Sequence, residues 1–409
     1  DMAGPLSHIR VLDLSRVLAG PWAAQNLADL GAEVIKVERP GSGDDTRGWG
    51  PPYMKDANGQ DTPEAAYFLS CNRNKKSVTI DIASPAGQTL VRDLAKQSHV
   101  LIENYKVGTL ARYGLGYEDL RKINPGIIYC SVTGFGQSGP YAERPGYDFI
   151  FQGMCGLMSI TGERDTLPGG GPQKVGIAIT DVLTGMYASL AISAAITHME
   201  RTGEGQYIDM ALLDTLVAFN SNQIVSYFCS GNIPKRWGNA HPQVVPYEVF
   251  ATSDGHIILA VGNDGQFARF CATAGHPEIA QDPRFVTNSQ RIINRDALIP
   301  MISTWFKQRS KADWIQALEA ATVPCGPINN MQEVFEDPQV QHRNMRVDIP
   351  HPLGTTAPVV ASPMRFSATP VEYRLAPPLL GQHNQEIFAD LLGRSQADLE
   401  ALRAAGTIS

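Results

Sequence analysis

Cysteine is scarce in this chain: six in 409 residues, at positions 71, 130, 155, 229, 271 and 325, with no C-x-x-C pair among them. That spacing excludes a zinc ribbon and a disulfide-stapled secreted scaffold, and fits a reducing compartment. The chain also lacks H-E-x-x-H, G-x-S-x-G and any clustered His/Cys ligand set, which removes the commonest metal-centre and serine-hydrolase readings. Gly41-Ser42-Gly43-Asp44-Asp45 and Gly169-Gly170-Gly171 have neither dinucleotide-binding nor P-loop spacing, so they read as turns. Basic runs are missing too. With 34 Lys and Arg against 41 Asp and Glu, the formal net charge is −7, which disfavours a nucleic-acid partner. No basic segment followed by an apolar core opens the chain, and no run approaches the ~18–20 apolar residues that span a bilayer. The expectation is a soluble, cytoplasmic protein with no membrane partner. Asp1, which precedes Met2, is read as an addition ahead of the natural start.

What is present is an α/β pattern. Residues 9–14, 34–38, 77–82, 100–103 and 127–132 read as strands, with helical spacing over 21–31, 85–97 and 117–123 between them. Strand, helix, strand at short intervals predicts a mostly parallel sheet covered on both faces. Residues 181–200 are apolar on nearly all sides and predict a buried helix; a second long helix is expected over 209–227. Composition shifts at 231–245, rich in Gly, Pro and Asn, and a new unit follows with a hairpin at Asp254-Gly255 between strands 247–252 and 256–261. Helices are expected at 266–274, 294–307 and 311–321, and a last one at 384–392. The domain expectation is therefore 1–225 for a large α/β unit, 226–330 for a small one, and 331–409 as a linker and a C-terminal part.

Asp181 stands out because a carboxylate opens an otherwise apolar helix, in Gly176-Ile177-Ala178-Ile179-Thr180-Asp181-Val182. One reading is a helix N-cap, accepting free amide hydrogens of the first turn. The other is a nucleophile, and position alone leaves both open.

The ordered blocks of the chain resemble the class III CoA-transferase family. They are Val11-Leu12-Asp13-Leu14-Ser15-Arg16-Val17-Leu18-Ala19-Gly20-Pro21, then Gly31-Ala32-Glu33-Val34-Ile35-Lys36-Val37-Glu38-Arg39-Pro40-Gly41-Ser42-Gly43-Asp44, and Asn72-Arg73-Asn74-Lys75-Lys76-Ser77. Glu103-Asn104-Tyr105, Arg144-Pro145-Gly146-Tyr147-Asp148, Thr180-Asp181 and Pro378-Leu379-Leu380-Gly381-Gln382-His383 complete the set. The resemblance implies an enzyme that moves CoA between carboxylic acids, with Asp181 as the acyl-accepting nucleophile and CoA or acyl-CoA as substrate, without a permanently bound cofactor or metal. It implies that Arg39, Lys75, Asn104, Tyr105 and Arg112 line the nucleotide, and that Tyr147 stands near the nucleophile unless it is a core tyrosine. It further implies a Rossmann-like large domain built from both chain ends, a smaller central α+β domain, and an interlocked-ring homodimer.

Within the family, the racemase branch places a His-Asp pair where this chain has Tyr147-Asp148, so the second base needed for α-proton exchange is lacking. The formyl-CoA branch carries a glycine-rich loop where this chain has Trp237-Gly238-Asn239-Ala240-His241-Pro242, which argues against formate and oxalate. Residues 39–52, 73–77, 236–238 and 326–331 are most similar to transferases that use a dicarboxylyl-CoA such as succinyl-CoA. Arg16, Leu18 and His241 are then substrate-binding candidates, Arg16 and His241 for a distal carboxylate. Arg16 could equally pair with Glu33 or cap a helix, and His241 could order its own loop. Competing classes are an acyl-CoA isomerase or hydratase and a CoA-binding scaffold without turnover.

Overall fold

A computed structural model describes residues 4–409; Asp1 and the reading of it lie outside the described residues. The chain forms two units. The first takes the chain as far as Leu157, with Val175–Ser221 and Gln339–Ser409; the second is Met158–Lys174 with Asn222–Pro338. Residues 158–174, expected in the first unit, thus belong with the second.

In the first unit six strands, β1 (Arg10–Asp13), β2 (Glu33–Glu38), β3 (Lys75–Thr79), β4 (Val100–Glu103), β5 (Ile128–Thr133) and β6 (Tyr207–Ala211), form one sheet. The order is β3-β2-β1-β4-β5-β6 and every pairing is parallel. This is a doubly wound sheet: the chain builds outward from β1 to one side, then returns to build from β4 to the other. The central strands are buried on both faces, which explains their unbroken Val, Ile and Leu runs.

On one face pack helix α1 (Ala19–Asp29) and the long α4 (Ile179–Thr202), sharing a core with Val11, Val34, Ile102 and Ile128. On the other pack α2 (Pro85–Lys96) and the C-terminal residues Phe388, Leu399 and Ile408, around Leu12, Ile35 and Leu101. The start of α2 was legible. Ser84 accepts the Gly87 N–H at 3.0 Å and Pro85 occupies the first turn, where its missing N–H costs nothing. Between α2 and α4 lies the short α3 (Asp148–Met154).

Three expectations need correction. The helix expected over 209–227 begins as strand β6, because Tyr207–Ala211 completes the ladder beside β5; helices Leu212–Phe219 and Ser221–Ser230 follow, with Ser221 at a positive φ of 47° between them. The terminal helix is a π-helical turn, Glu386–Leu391, and a further helix, Gln396–Ala404, follows with Ser395 accepting the Asp398 N–H. The expected burial of α4 holds for one stripe only. Thr180, Thr184, Ala188, Ile192 and Ala195 are buried, whereas Met186, Tyr187 and Leu190 are exposed. By length and apolar content α4 could also cross a membrane. The sequence reading missed this because Ala, Gly, Ser and Thr dilute the run; here its buried stripe packs on α1 and the sheet.

The second unit holds a three-stranded antiparallel sheet, β7 (Tyr247–Ala251), β8 (His256–Ala260) and β9 (Cys325–Pro327). Its core is aromatic: Phe250 stacks on Phe306 at 4.8 Å, and Trp314 donates its ring N–H to the Phe306 carbonyl at 2.9 Å.

Candidate active site

The reversal of strand order places a crevice between the carboxyl ends of β1 and β4, the place where doubly wound sheets bind nucleotides. Three of the expected binding residues meet there, in a cleft lined by Ser15, Arg16, Arg39, Gly43 and Tyr105. Arg16 follows β1, Arg39 follows β2, and Tyr105 follows β4. Asn104 joins the two central strands: its side chain accepts the Arg16 N–H at 3.1 Å and donates to the Arg16 carbonyl at 2.8 Å. The Arg16 guanidinium lies 4.1 Å from the centre of the Tyr105 ring, a cation–π stack. It makes no pair with Glu33, which instead meets Arg10 at 3.3 Å. Arg39 is exposed and, among the described residues, pairs only with Asp45, so its planar fork is accessible to phosphate. Arg112 ends the short helix Thr109–Arg112 and is exposed.

Lys75 must be corrected. Its ammonium is wholly buried, donating to the Pro21 carbonyl and Asn72 Oδ1, both at 2.9 Å, with Asp13 at 3.5 Å. Burial drives its pKa down to about 8. All its partners are internal, so Lys75 braces β1 against β3 and does not face the cleft.

Asp181 lies in the first turn of α4 but does not cap it. Ala178 holds the cap position without a side-chain bond. The Thr180 N–H instead donates to Asp148 Oδ1 at 2.8 Å, and Gln152 Nε2 steadies the other Asp148 oxygen at 2.9 Å. Asp181 is left with its own backbone N–H as a hydrogen-bond donor to its carboxylate. Its place relative to the cleft follows from how α4 packs. A Cβ on Gly185 would fall 2.8 Å from the Ala19 carbonyl oxygen and 2.9 Å from Trp22 Cβ, so only glycine admits this approach. One turn later, Asn26 donates to Ser189 Oγ at 3.1 Å. The two helices therefore run in the same direction. Asp181 lies one turn, or about 6 Å, before Gly185, towards the end of α4 that packs beside the start of α1. Leu18, 7% exposed, immediately precedes α1.

Partial burial and the nearby Asp148 carboxylate push Asp181 up to about 7. Both act by penalising its charged form. Tyr67 carried no sequence signal, yet burial and the charge of Asp181 push its phenol up to about 12, which places its hydroxyl in the field of the same carboxylate. Tyr147 immediately precedes Asp148 and is 74% exposed, so the core-tyrosine reading fails.

His241 lies in the second unit, in a groove lined by Ser226, Lys235, Trp237, Gln243 and Tyr247 among others. Its Nδ1 accepts the Gln243 N–H at 3.0 Å, its carbonyl accepts from Arg295 at 2.7 Å, and its ring sits edge-on to Tyr247. It orders its loop.

A doubly wound sheet with two arginines at its switch-point cleft defines an α/β protein of the nucleotide-binding kind. The family model for CoA-transferase family III matches residues 6–384, and the chain belongs to that family. It is 52% identical over 387 residues to the succinate–glutarate CoA-transferase of Agrobacterium fabrum, covering 95% of this chain and 96% of that one. It is 43% identical over 404 residues to the human succinyl-CoA:glutarate CoA-transferase, covering 99% and 90%. Among solved structures, a CAIB/BAIF family protein from Brucella suis superposes with a TM-score of 0.87 at 48% identity, covering 95% of this chain and 99% of that one.

Proposed function

We propose that this CoA-transferase moves CoA from succinyl-CoA, or another dicarboxylyl-CoA, to a dicarboxylate acceptor through Asp181. The observation that supports the reading is the partly buried carboxylate of Asp181 in the first turn of α4, the helix packed along α1. The names of the relatives supply the acid class.

The Asp181 carboxylate attacks the thioester carbonyl and expels CoA thiolate, leaving a mixed anhydride. The thiolate then attacks the aspartyl carbonyl, releasing the donor acid and leaving an aspartyl-CoA thioester. The acceptor carboxylate attacks that carbonyl and expels the thiolate again, and the thiolate opens the second anhydride on the acceptor side, which restores Asp181. Each intermediate is open to water, so a partly buried carboxylate suits the chemistry. Arg39 binds CoA phosphate, and Arg16 and Tyr105 form the shelf beside it. The exposed Met186, Tyr187 and Leu190 on α4, with Ile150 on α3, support an interlocked homodimer that covers them.

Incubation with succinyl-CoA and a panel of dicarboxylic acids is expected to yield the matching acyl-CoA by mass spectrometry. Hydrolysis to free CoA without a new thioester would refute the reading.

A further inference from the structure

Val17 stands between Arg16 and Leu18 with φ at 72°. A β-branched residue in the left-handed region is strained, and such strain persists only where neighbours impose it. The neighbour here is Asp44. Its two carboxylate oxygens each lie 3.2 Å from the Val17 N–H, and it also accepts from Thr46 N at 3.0 Å and Thr46 Oγ1 at 2.9 Å. Lys36, whose side chain is as inaccessible as that of Asp44, donates to Asp44 Oδ2 at 2.8 Å and to the Ser15 carbonyl at 3.1 Å. One buried pair therefore grips both ends of the turn that leads into α1.

We propose that Asp44 is a positioning residue: through the Val17 N–H it holds the left-handed turn that leads through Leu18 into α1, the helix packed along the one that carries Asp181, while Arg16 stays stacked on Tyr105. The nucleotide end and the reacting end of an acyl-CoA are then referred to one rigid segment of three residues. The inference rests on the reading of Asp181 as the nucleophile. Its physical basis is that a displacement of about 1 Å at a reacting carbonyl can cost about a hundredfold in rate, whereas contacts to phosphate tolerate more.

The test follows the rate at which acyl or CoA adduct appears on Asp181, by peptide mass spectrometry after mixing with succinyl-CoA, alongside KM and thermal stability. Asp44→Asn is expected to slow adduct formation about a hundredfold while KM for succinyl-CoA stays within about threefold. In a Val17→Gly background, where the backbone adopts a positive φ unaided, the same substitution is expected to cost less than about tenfold. Adduct formation at the wild-type rate in Asp44→Asn, or an equal loss in both backgrounds, overturns the proposal. If Asp44→Asn does not fold, Val17→Pro removes the donated N–H and forbids the positive φ with the Lys36–Asp44 pair intact; a wild-type rate there overturns it too. A wild-type chain that forms no adduct on Asp181 instead overturns the reading of the nucleophile, and this inference falls with it.

Discussion

The backbone N–H of Thr180 donates to the Asp148 carboxylate at 2.8 Å, so the helix that carries Asp181 is capped from another helix. The carboxylate proposed as nucleophile is therefore not the one that accepts the Thr180 N–H, and the charge of Asp148 adds to burial in raising the pKa of Asp181. Asp148→Asn keeps an acceptor for Thr180 but removes that charge. The acid limb of kcat/KM is expected to move down by about 0.5–1 pH unit, with little change in stability, since asparagine caps a helix about as well as aspartate. A limb that stays in place would show that burial alone sets the value.

Asp181 must be ionised to attack, and its pKa near 7 predicts that kcat/KM rises with pH through about 7 and then levels off. Stability runs the opposite way. The folded chain retains a proton that the unfolded chain releases above its ordinary value of 3.8, so this group's contribution falls as pH rises from about 4 to about 7. Asp181→Asn should abolish transfer and leave the melting temperature nearly unchanged at about pH 4, where the folded group keeps its proton and the unfolded one has only partly lost it. At pH 8 it should raise the melting temperature by about 1–4 °C, as thermal melts at the two pH values would show.

Arg39 and Lys75, two cations expected to serve the same ligand, should respond in opposite ways. Arg39→Ala is expected to raise KM for acyl-CoA about tenfold with little change in kcat or melting temperature, since its side chain is exposed and holds only Asp45. Lys75→Met leaves Asp13 without its buried cation and should cost about 3–5 kcal/mol of stability, while the folded fraction keeps its KM.

Leu190, 66% exposed on α4, tests the covered face. Leu190→Lys should reduce the mass seen by light scattering to that of one chain, or leave the protein unfolded if assembly and folding are coupled. A wild-type chain that is monomeric at micromolar concentration would exclude the homodimer.

Much of the first unit was legible because its signals are local. Val11-Leu12, Val34-Ile35 and Val100-Leu101 are runs that only a doubly covered strand explains, and Ser84-Pro85 marks a helix start in two residues. The break in 209–227 was not legible, because Asp209 and Met210 become strand only when β5 offers an edge to pair with. Arg39 and Lys75 are both cations close to strand ends, and nothing along the chain separates them; one points to solvent and the other into the space between β1 and β3.

The sequence by itself determined the parallel α/β pattern of the first unit and the hairpin at Asp254-Gly255 in the second. Only the tertiary structure decided that Asp148 caps the helix, that Lys75 is internal, and that Asp44 reaches Val17. The reason is physical: periodicity, propensity and turn chemistry act between near neighbours in sequence, whereas each of those three facts is a contact between residues far enough apart that only packing brings them together.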